Sequence, residues 1–184
     1  GATMVCTAGV LFAYIAASPF VYQNMMGMSA TGYAIAFATN AIGMVSCTAL
    51  SGKLAKRYSL EKLIALGLAV NVTAVAGIGL VTVSGADIRL MAICFFFVVA
   101  SLGFIFGNST AVALSAVDRA AVGTASAMIG MSQFALGGIA TATAGLSGEN
   151  STVALAIVSA VSAACALSAF LVARKAPVKV HRIG

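Results

Sequence analysis

Charged side chains are scarce in this sequence. Of its 184 residues, 8% are charged and 61% are hydrophobic, and the chain contains no tryptophan, two prolines and one histidine. Soluble domains carry about 25% charged residues, so a water-soluble fold of this length could not cover so much apolar surface. The composition therefore excludes a soluble domain and predicts an all-α protein that crosses a membrane several times.

Catalytic and metal-binding patterns are missing as well. An intramembrane serine protease pairs its serine with a histidine or lysine inside the bilayer, but here the lysines and His181 fall in loops or in the C-terminal tail. The sequence contains no H-E-x-x-H motif and no C-x-x-C pair. We interpret the cysteines as small apolar packing residues: Cys6, Cys47, Cys94 and Cys165. We expect neither an enzyme, nor a metal site, nor a bound cofactor.

Runs without charge give the number of helices. They cover residues 1–52, 63–86, 90–117, 120–148 and 150–173. A bilayer-spanning helix needs about 20 apolar residues, so the last four runs hold one helix each. The first run holds two, separated by a turn at Gln23, Asn24 and Gly27. The sequence thus predicts six transmembrane helices, at about 2–22, 30–51, 63–84, 90–111, 121–146 and 152–173. They form one domain over residues 1–173, followed by a basic tail over residues 174–184.

The basic residues fall mainly on one side of this predicted bundle. That side consists of the second–third loop, the fourth–fifth loop and the tail, with Lys53, Lys56, Arg57, Lys62, Arg119, Arg174, Lys175, Lys179 and Arg182. The other side holds Arg89 alone, together with Asp87 and Glu149. Basic loops are retained in the cytoplasm, so we expect both termini to be cytoplasmic. The same bias accounts for the net charge of +6 without a nucleic-acid partner.

The helix order indicates an internal repeat. Three predicted helices precede the S-G-A-D-I-R turn at residues 84–89 and three follow it. Because three is odd, the second triplet enters the membrane from the opposite side, which is the geometry of an inverted repeat in many secondary transporters. Short loops also lead us to expect that sequential helices pack against each other.

Neutral polar side chains are the candidates for a substrate cavity. Tyr14 and Ser18 lie one turn apart on helix one, and Asn40 lies near the middle of helix two. Asn108 lies toward the cytoplasmic end of helix four and Gln133 near the middle of helix five. Polar side chains at such depths are costly and generally face the bundle interior. Two interpretations remain open: hydrogen bonds between helices, worth ~0.6 kcal/mol each, or donors and acceptors that line a cavity.

Pro19 interrupts helix one in its outer half. A membrane helix tolerates proline when a nearby group satisfies the freed carbonyl, which here belongs to Ile15, and Ser18 is close enough to do so. We expect a kink at which a rocking transporter could bend. Helix five carries glycines every seven residues, which predict close packing against a neighbouring helix: Gly123, Gly130 and Gly137.

Two stretches of the chain resemble the Bcr/CflA-type drug exporters of the major facilitator superfamily. That family's seventh and eighth helices are similar to residues 14–44, YIAASPFVYQNMMGMSATGYAIAFATNAIGM, with a Y-I-x-x-S-P-F-x-x-Q stretch and a G-x-S turn. Its tenth-to-eleventh-helix region is similar to residues 107–140, GNSTAVALSAVDRAAVGTASAMIGMSQFALGGIA, which contain G-N-x-x-A-x-A-L, G-x-A-S-A and Q-F in that order. The resemblance covers nearly the whole chain.

The second–third loop adds a weaker match. Residues 51–62 read SGKLAKRYSLEK and resemble the superfamily's G-x-L-A-D-R-x-G-R-R loop. Gly52 and Arg57 match that pattern, as a close-approach turn and a helix-end anchor. Lys56 stands where the acidic residue would be, so we do not extend the loop's charge-relay role to this chain.

The resemblance implies the C-terminal six-helix half of a twelve-helix exporter in the bacterial inner membrane, with an N-terminal six-helix half as its partner in the lipid bilayer. Such exporters expel amphipathic drugs or small metabolites in exchange for protons by alternating access. Proton exchange needs a titrating group in the cavity, and the four acidic residues here fall in loops or at helix ends. We therefore expect the proton site in the other half. The alternative is a self-sufficient six-helix protein that dimerises as a pore or a scaffold.

Overall fold

The computed structural model describes residues 2–146 and 152–175, and in these ranges the chain is helical without any strand. The helices are α1 (Ala2–Pro19), continued by a π-helical segment (Phe20–Met25), α2 (Ala30–Leu54), α3 (Leu60–Ser84), α4 (Leu90–Ser115), α5 (Val122–Leu146), preceded by a 3-10 turn (Arg119–Ala121), and α6 (Thr152–Lys175). Six helices are long and apolar enough to span a membrane, which confirms the predicted fold class. Glu149 and the tail beyond Lys175, including Lys179, His181 and Arg182, lie outside the described residues.

The first helix ends later than the sequence predicts. The backbone remains helical through Gln23 and Asn24 because the chain changes from α to π hydrogen bonding directly after Pro19. Within this segment the Met26 N–H donates to the Val21 carbonyl at 3.0 Å, an i→i−5 bond typical of a π-helix. The break comes at Gly27, whose φ of 69° is a left-handed conformation that glycine adopts without strain.

Polar residues and glycine set the ends of the neighbouring helices. Ser29 caps α2, since its Oγ accepts a hydrogen bond from the Gly32 N–H at 3.1 Å. Gly85, with a φ of 64°, ends α3. In the turn before α4, the Arg89 N–H donates to Asp87 Oδ1 at 2.9 Å. At their C-terminal ends α2 and α4 run past the predicted limits, because helical hydrogen bonding continues beyond the apolar residues that the prediction counted.

The six helices pack as two equivalent triplets. α1 packs against α5 and α6, α4 packs against α2 and α3, α1 meets α4, and α3 meets α6. Exchanging α1–α3 with α4–α6 leaves this pattern unchanged, as an inverted repeat requires. Among the described residues, α3 and α4 are the sequential pair that packs extensively. The expectation that sequential helices pack is therefore wrong elsewhere, because the central helices α1 and α4 take partners from both triplets.

We infer an open groove on the side of the bundle away from α3 and α6, from the helix contacts and from one exposed residue of α1. α2 and α5 flank it without packing against each other. On α1, Phe12 contacts α5 and Ser18 contacts α2. Around the helix axis Ile15 points between these two side chains, so it lies on the floor of the groove. The fractional exposure of the Ile15 side chain is 40%. We call this region, bounded by α2 and α5 with α1 and α4 beneath, the front groove.

Candidate functional site

An amide and two tyrosines meet inside the bundle where α1 and α2 face each other. Asn40 Nδ2 donates to the Tyr14 hydroxyl at 2.9 Å and, over a longer distance of 3.4 Å, to the Tyr22 hydroxyl. Each of the three side chains is exposed by 3% or less. The structure thus brings together two of the predicted cavity residues, Tyr14 and Asn40, and joins them by a hydrogen bond between helices.

Aromatic rings hold the two hydroxyls in place. Phe95 of α4 is completely buried and lies edge-on to Tyr14 and Tyr22, with ring centroids 5.1 and 5.7 Å away. On its other side Tyr14 stacks on Phe37 of α2 at 5.9 Å. Edge-on and offset rings at such distances attract each other beyond their buried area. The amide therefore meets hydroxyls whose positions are fixed by packing from two neighbouring helices.

Ser18 and Tyr33 complete the polar cluster beside the proline. The Ser18 hydroxyl donates to the Ile15 carbonyl at 3.3 Å, and its oxygen lies 3.2 Å from the Tyr33 hydroxyl. Because Pro19 has no N–H, the Ile15 carbonyl lacks its usual helical donor. The prediction that Ser18 would satisfy that carbonyl is confirmed. The contact with Tyr33 also ties the outer part of α1 to α2.

A cavity of about 310 Å³ adjoins the amide at the seam between α2 and α4. Asn40 and Tyr22 line it, together with Thr39, Ile93 and Phe96. Small-molecule sites are mostly apolar, with volumes of about 300–1,000 Å³ and a few placed polar groups. Since Asn40 Nδ2 donates to the tyrosine hydroxyls, Oδ1 is the acceptor that the amide can offer to a ligand. These residues carry no charge, so the cavity suits an apolar molecule with a neutral donor.

Asn108 and Gln133 lie in other parts of the bundle. Asn108 Nδ2 donates to Ser51 Oγ and to the Phe104 carbonyl, both at 2.7 Å, and so joins α4 to α2. Ser51 is eleven residues along α2 from Asn40, or about 16 Å at 1.5 Å per residue. Gln133 is half-buried on α5, one turn before Gly137 on the same helix face. The predicted cavity residues therefore do not form one compact site.

The predicted packing residues divide into two groups. Gly137 packs against Phe12, whose ring occupies the space that a Cβ would need. Gly123 and Gly130 have nothing within 4 Å of that space in the described chain, so their close packing stays a prediction about a neighbour outside it. Gly52 lies within α2 rather than in a turn, because helical hydrogen bonding continues past it, and the predicted close-approach turn at this residue is wrong. Arg57 is exposed in the turn after α2, and its anchoring role also stays a prediction.

Several residues of the polar interior were missed at the sequence level, among them Asn71, Tyr22 and Tyr33. Asn71 is completely buried, and its Nδ2 donates to Ser101 Oγ at 2.9 Å between α3 and α4. An amide within an apolar run is the same signal that identified Asn40, so Asn71 could have been found. Tyr22 and Tyr33 gave no such signal. For Tyr22, the direction of the ring depends on the π-helical segment, which the sequence did not indicate.

Comparison with known proteins gives one informative relative. The chain is 25% identical over 162 residues to a Bacillus subtilis (strain 168) protein named uncharacterized MFS-type transporter YdgK, where MFS stands for the major facilitator superfamily. The match covers 88% of this chain and 40% of the relative, so the chain spans less than half of the relative's length. No family model and no solved structure matches the sequence. The likeness is thus to a protein named as a transporter of that superfamily, and the six apolar helices of the described residues fit a multi-pass membrane protein.

Proposed function

We propose that the chain is the C-terminal half of a secondary exporter of the Bcr/CflA type. The complete transporter would expel amphipathic drugs or small metabolites in exchange for protons by alternating access. It would lie in the bacterial inner membrane with both termini of this chain in the cytoplasm, as the distribution of basic residues indicates. The observation that carries the proposal is the front groove, which is half of a passage without its opposite wall.

The helices beside the groove are suited to contact a second bundle. On α2, Ala34, Ala38 and Ala41 share one exposed face, and on α5, Gly130 and Gly138 have open space at their Cα atoms. Small residues let membrane helices approach closely where no hydrophobic force acts between them. The relative extends well beyond the matched 40% of its length, which leaves room for such a bundle. We propose that an N-terminal six-helix half packs on these two faces.

This half contributes a neutral wall to the passage. The polar groups of the Asn40 cluster are amides and hydroxyls, and the acidic residues of the described chain, Glu61, Asp87 and Asp118, lie in loops or at helix ends. Buried carboxylates normally carry protons in such transporters. The proton-coupling residue of the proposed exporter therefore belongs to the other half, while this half binds the apolar part of the substrate.

The test is a transport assay on the complete natural protein in inverted membrane vesicles. The proposal predicts that an imposed pH gradient drives uptake of a lipophilic cationic dye and that a protonophore stops it. Uptake that continues after the gradient has collapsed would refute proton exchange. A homodimer of this chain that moves the dye without other helices would favour the self-sufficient pore instead.

A further inference from the structure

A second cavity lies away from the front groove and from the Asn40 cluster. It measures about 530 Å³ and is lined by residues of α1, α5 and α6. α1 packs extensively against both other helices, whereas α5 and α6 touch each other only slightly. The cavity is therefore a wedge that α1 closes on one side and that opens between α5 and α6.

The wedge is long and has a tight floor. Along α6 its lining residues run from Ala154 to Cys165, a length of about 16 Å at 1.5 Å per residue. On the floor, Gly9 of α1 is buried and lies so close to α6 that a Cβ would come within 2.6 Å of Ser162 Oγ. The absence of a side chain at Gly9 thus lets α1 and α6 close the back of the cavity.

The opening is apolar. Ile139, Ile157 and Val161 line the wedge and are exposed by 61%, 58% and 58%. None of the lining residues is charged, and the polar side chains among them are Thr143, Ser162 and two cysteines. A charged ligand would find no charged partner here and would lose its hydration.

From these features we infer that the wedge between α5 and α6 binds an acyl chain of a bilayer lipid. Both helices are long and apolar enough to span a membrane. In a bilayer the apolar opening between them would face hydrocarbon, and an unfilled void would forfeit the dispersion contacts of its walls. This inference does not depend on the proposed transport activity.

The test uses the complete natural protein in vesicles of phosphatidylcholine that carries a photoactivatable diazirine on one acyl chain. After illumination and proteolysis, mass spectrometry locates the lipid adducts. We expect adducts on the floor residues Gly9 and Ser162, which bulk lipid reaches poorly. Ala154→Phe, which places a ring in the wedge, abolishes these adducts. Val153→Phe, at the neighbouring exposed position, leaves them unchanged.

A second pair of variants, on α5, keeps the test decisive if the first wedge variant misfolds. Ala140 lines the wedge, whereas Ala142, two residues further along the helix, is exposed, so Ala140→Leu removes the floor adducts and Ala142→Leu retains them. All variants are compared by size-exclusion elution, and the α5 pair decides if Ala154→Phe aggregates. The inference would be overturned if the unmodified protein gave no adducts on Gly9 and Ser162. It would also be overturned if these adducts persisted in both Ala154→Phe and Ala140→Leu. Floor adducts that a lipophilic dye displaces at equimolar concentration would assign the wedge to a soluble ligand and overturn it as well.

Discussion

Asn40 is the residue on which the contact between α1 and α2 converges. Its amide supplies both hydrogen bonds to the tyrosine hydroxyls, at 2.9 and 3.4 Å, and it also lines the cavity of about 310 Å³. The two interpretations that the sequence left open for this residue are therefore compatible. Removal of the amide should weaken the helix contact and reshape the cavity at the same time.

Asn40→Ala tests this dual role. Interhelical hydrogen bonds in membranes average about 0.6 kcal/mol, so we expect a loss of about 1 kcal/mol in unfolding free energy for the two bonds. In the complete protein the range of exported compounds changes while the protein level stays normal. Thr73→Ala is the control, since Thr73 is exposed and bonds its own helix at Ala69. Thermal unfolding in detergent and efflux of a compound panel are the measurements, and an unchanged panel would contradict the cavity role.

Gln133→Ala is the corresponding variant on α5. Gln133 is half-buried near the middle of its helix, where a polar side chain generally faces the bundle interior. We expect an altered range of exported compounds at normal protein levels, measured by efflux in the complete protein. The exposed neighbour Ser132 provides the control Ser132→Ala. Loss of expression would instead assign Gln133 to helix packing.

At the scale of elements, the first helix combines a proline with a π-helical segment. Pro19 removes one helical donor, Ser18 satisfies the freed carbonyl, and the π-helical bonding over Phe20–Met25 follows at once. A π turn adds a residue per turn to the helix and so changes the direction of every side chain after it. This change places Tyr22 beside Asn40.

Pro19→Ala should undo that arrangement. The new N–H can donate to the Ile15 carbonyl, so we expect the segment to return to α-helical bonding and the end of α1 to rotate. Pulsed electron paramagnetic resonance between spin labels at Asn24 and Ser84, both exposed, would then report a shifted distance. Ser132→Ala, at an exposed position of α5, keeps the proline and should leave the distance unchanged. An identical distance distribution in Pro19→Ala would contradict the role of the proline.

At one glycine the contact between α1 and α5 leaves no room for a side chain. A Cβ at Gly137 would overlap the Phe12 ring, whereas one at Gly138 meets open space. Overpacking of a tight contact costs about 1–3 kcal/mol, so Gly137→Ala should lower the unfolding free energy by that amount. Gly138→Ala should be neutral or slightly stabilising, because alanine favours the helix over glycine. Equal stability of both variants in a detergent unfolding assay would refute the close contact.

The number and approximate places of the helices could be predicted because the charge-free runs end at charged residues, as at Lys53 and Asp87, and the long first run is divided at Gly27. It could also be predicted that the Ile15 carbonyl needs another hydrogen-bond donor and that Ser18 is close enough to supply it. The reason is that the position of the proline, which lacks an N–H, is known from the sequence. The end of the π-helical segment at Met25 could not be predicted, because a proline in a membrane helix indicates a kink and not a particular change of hydrogen bonding. The open space at Gly123 and Gly130 likewise depends on where α5 lies in the bundle.

At the scale of the whole molecule, the two interleaved triplets of helices form a bundle that is covered by helices on one side and open on the other. α3 and α6 cover the rear, α1 and α4 lie in the centre, and α2 and α5 flank the front groove. α5 is the most exposed of the six helices, although its contact with α1 is tight at Gly137. A bundle of this shape in a bilayer is expected to have a second bundle against its open side.

Transport by purified protein in sealed lipid vesicles tests the central claim most directly. The complete natural protein and this chain alone are reconstituted separately, a pH gradient is imposed, and uptake of a lipophilic cationic dye is followed. We predict gradient-driven uptake by the complete protein and uptake by the chain alone that equals that of protein-free vesicles. Gradient-driven uptake by the chain alone at the rate of the complete protein would contradict the account, because a single wall would then suffice for transport.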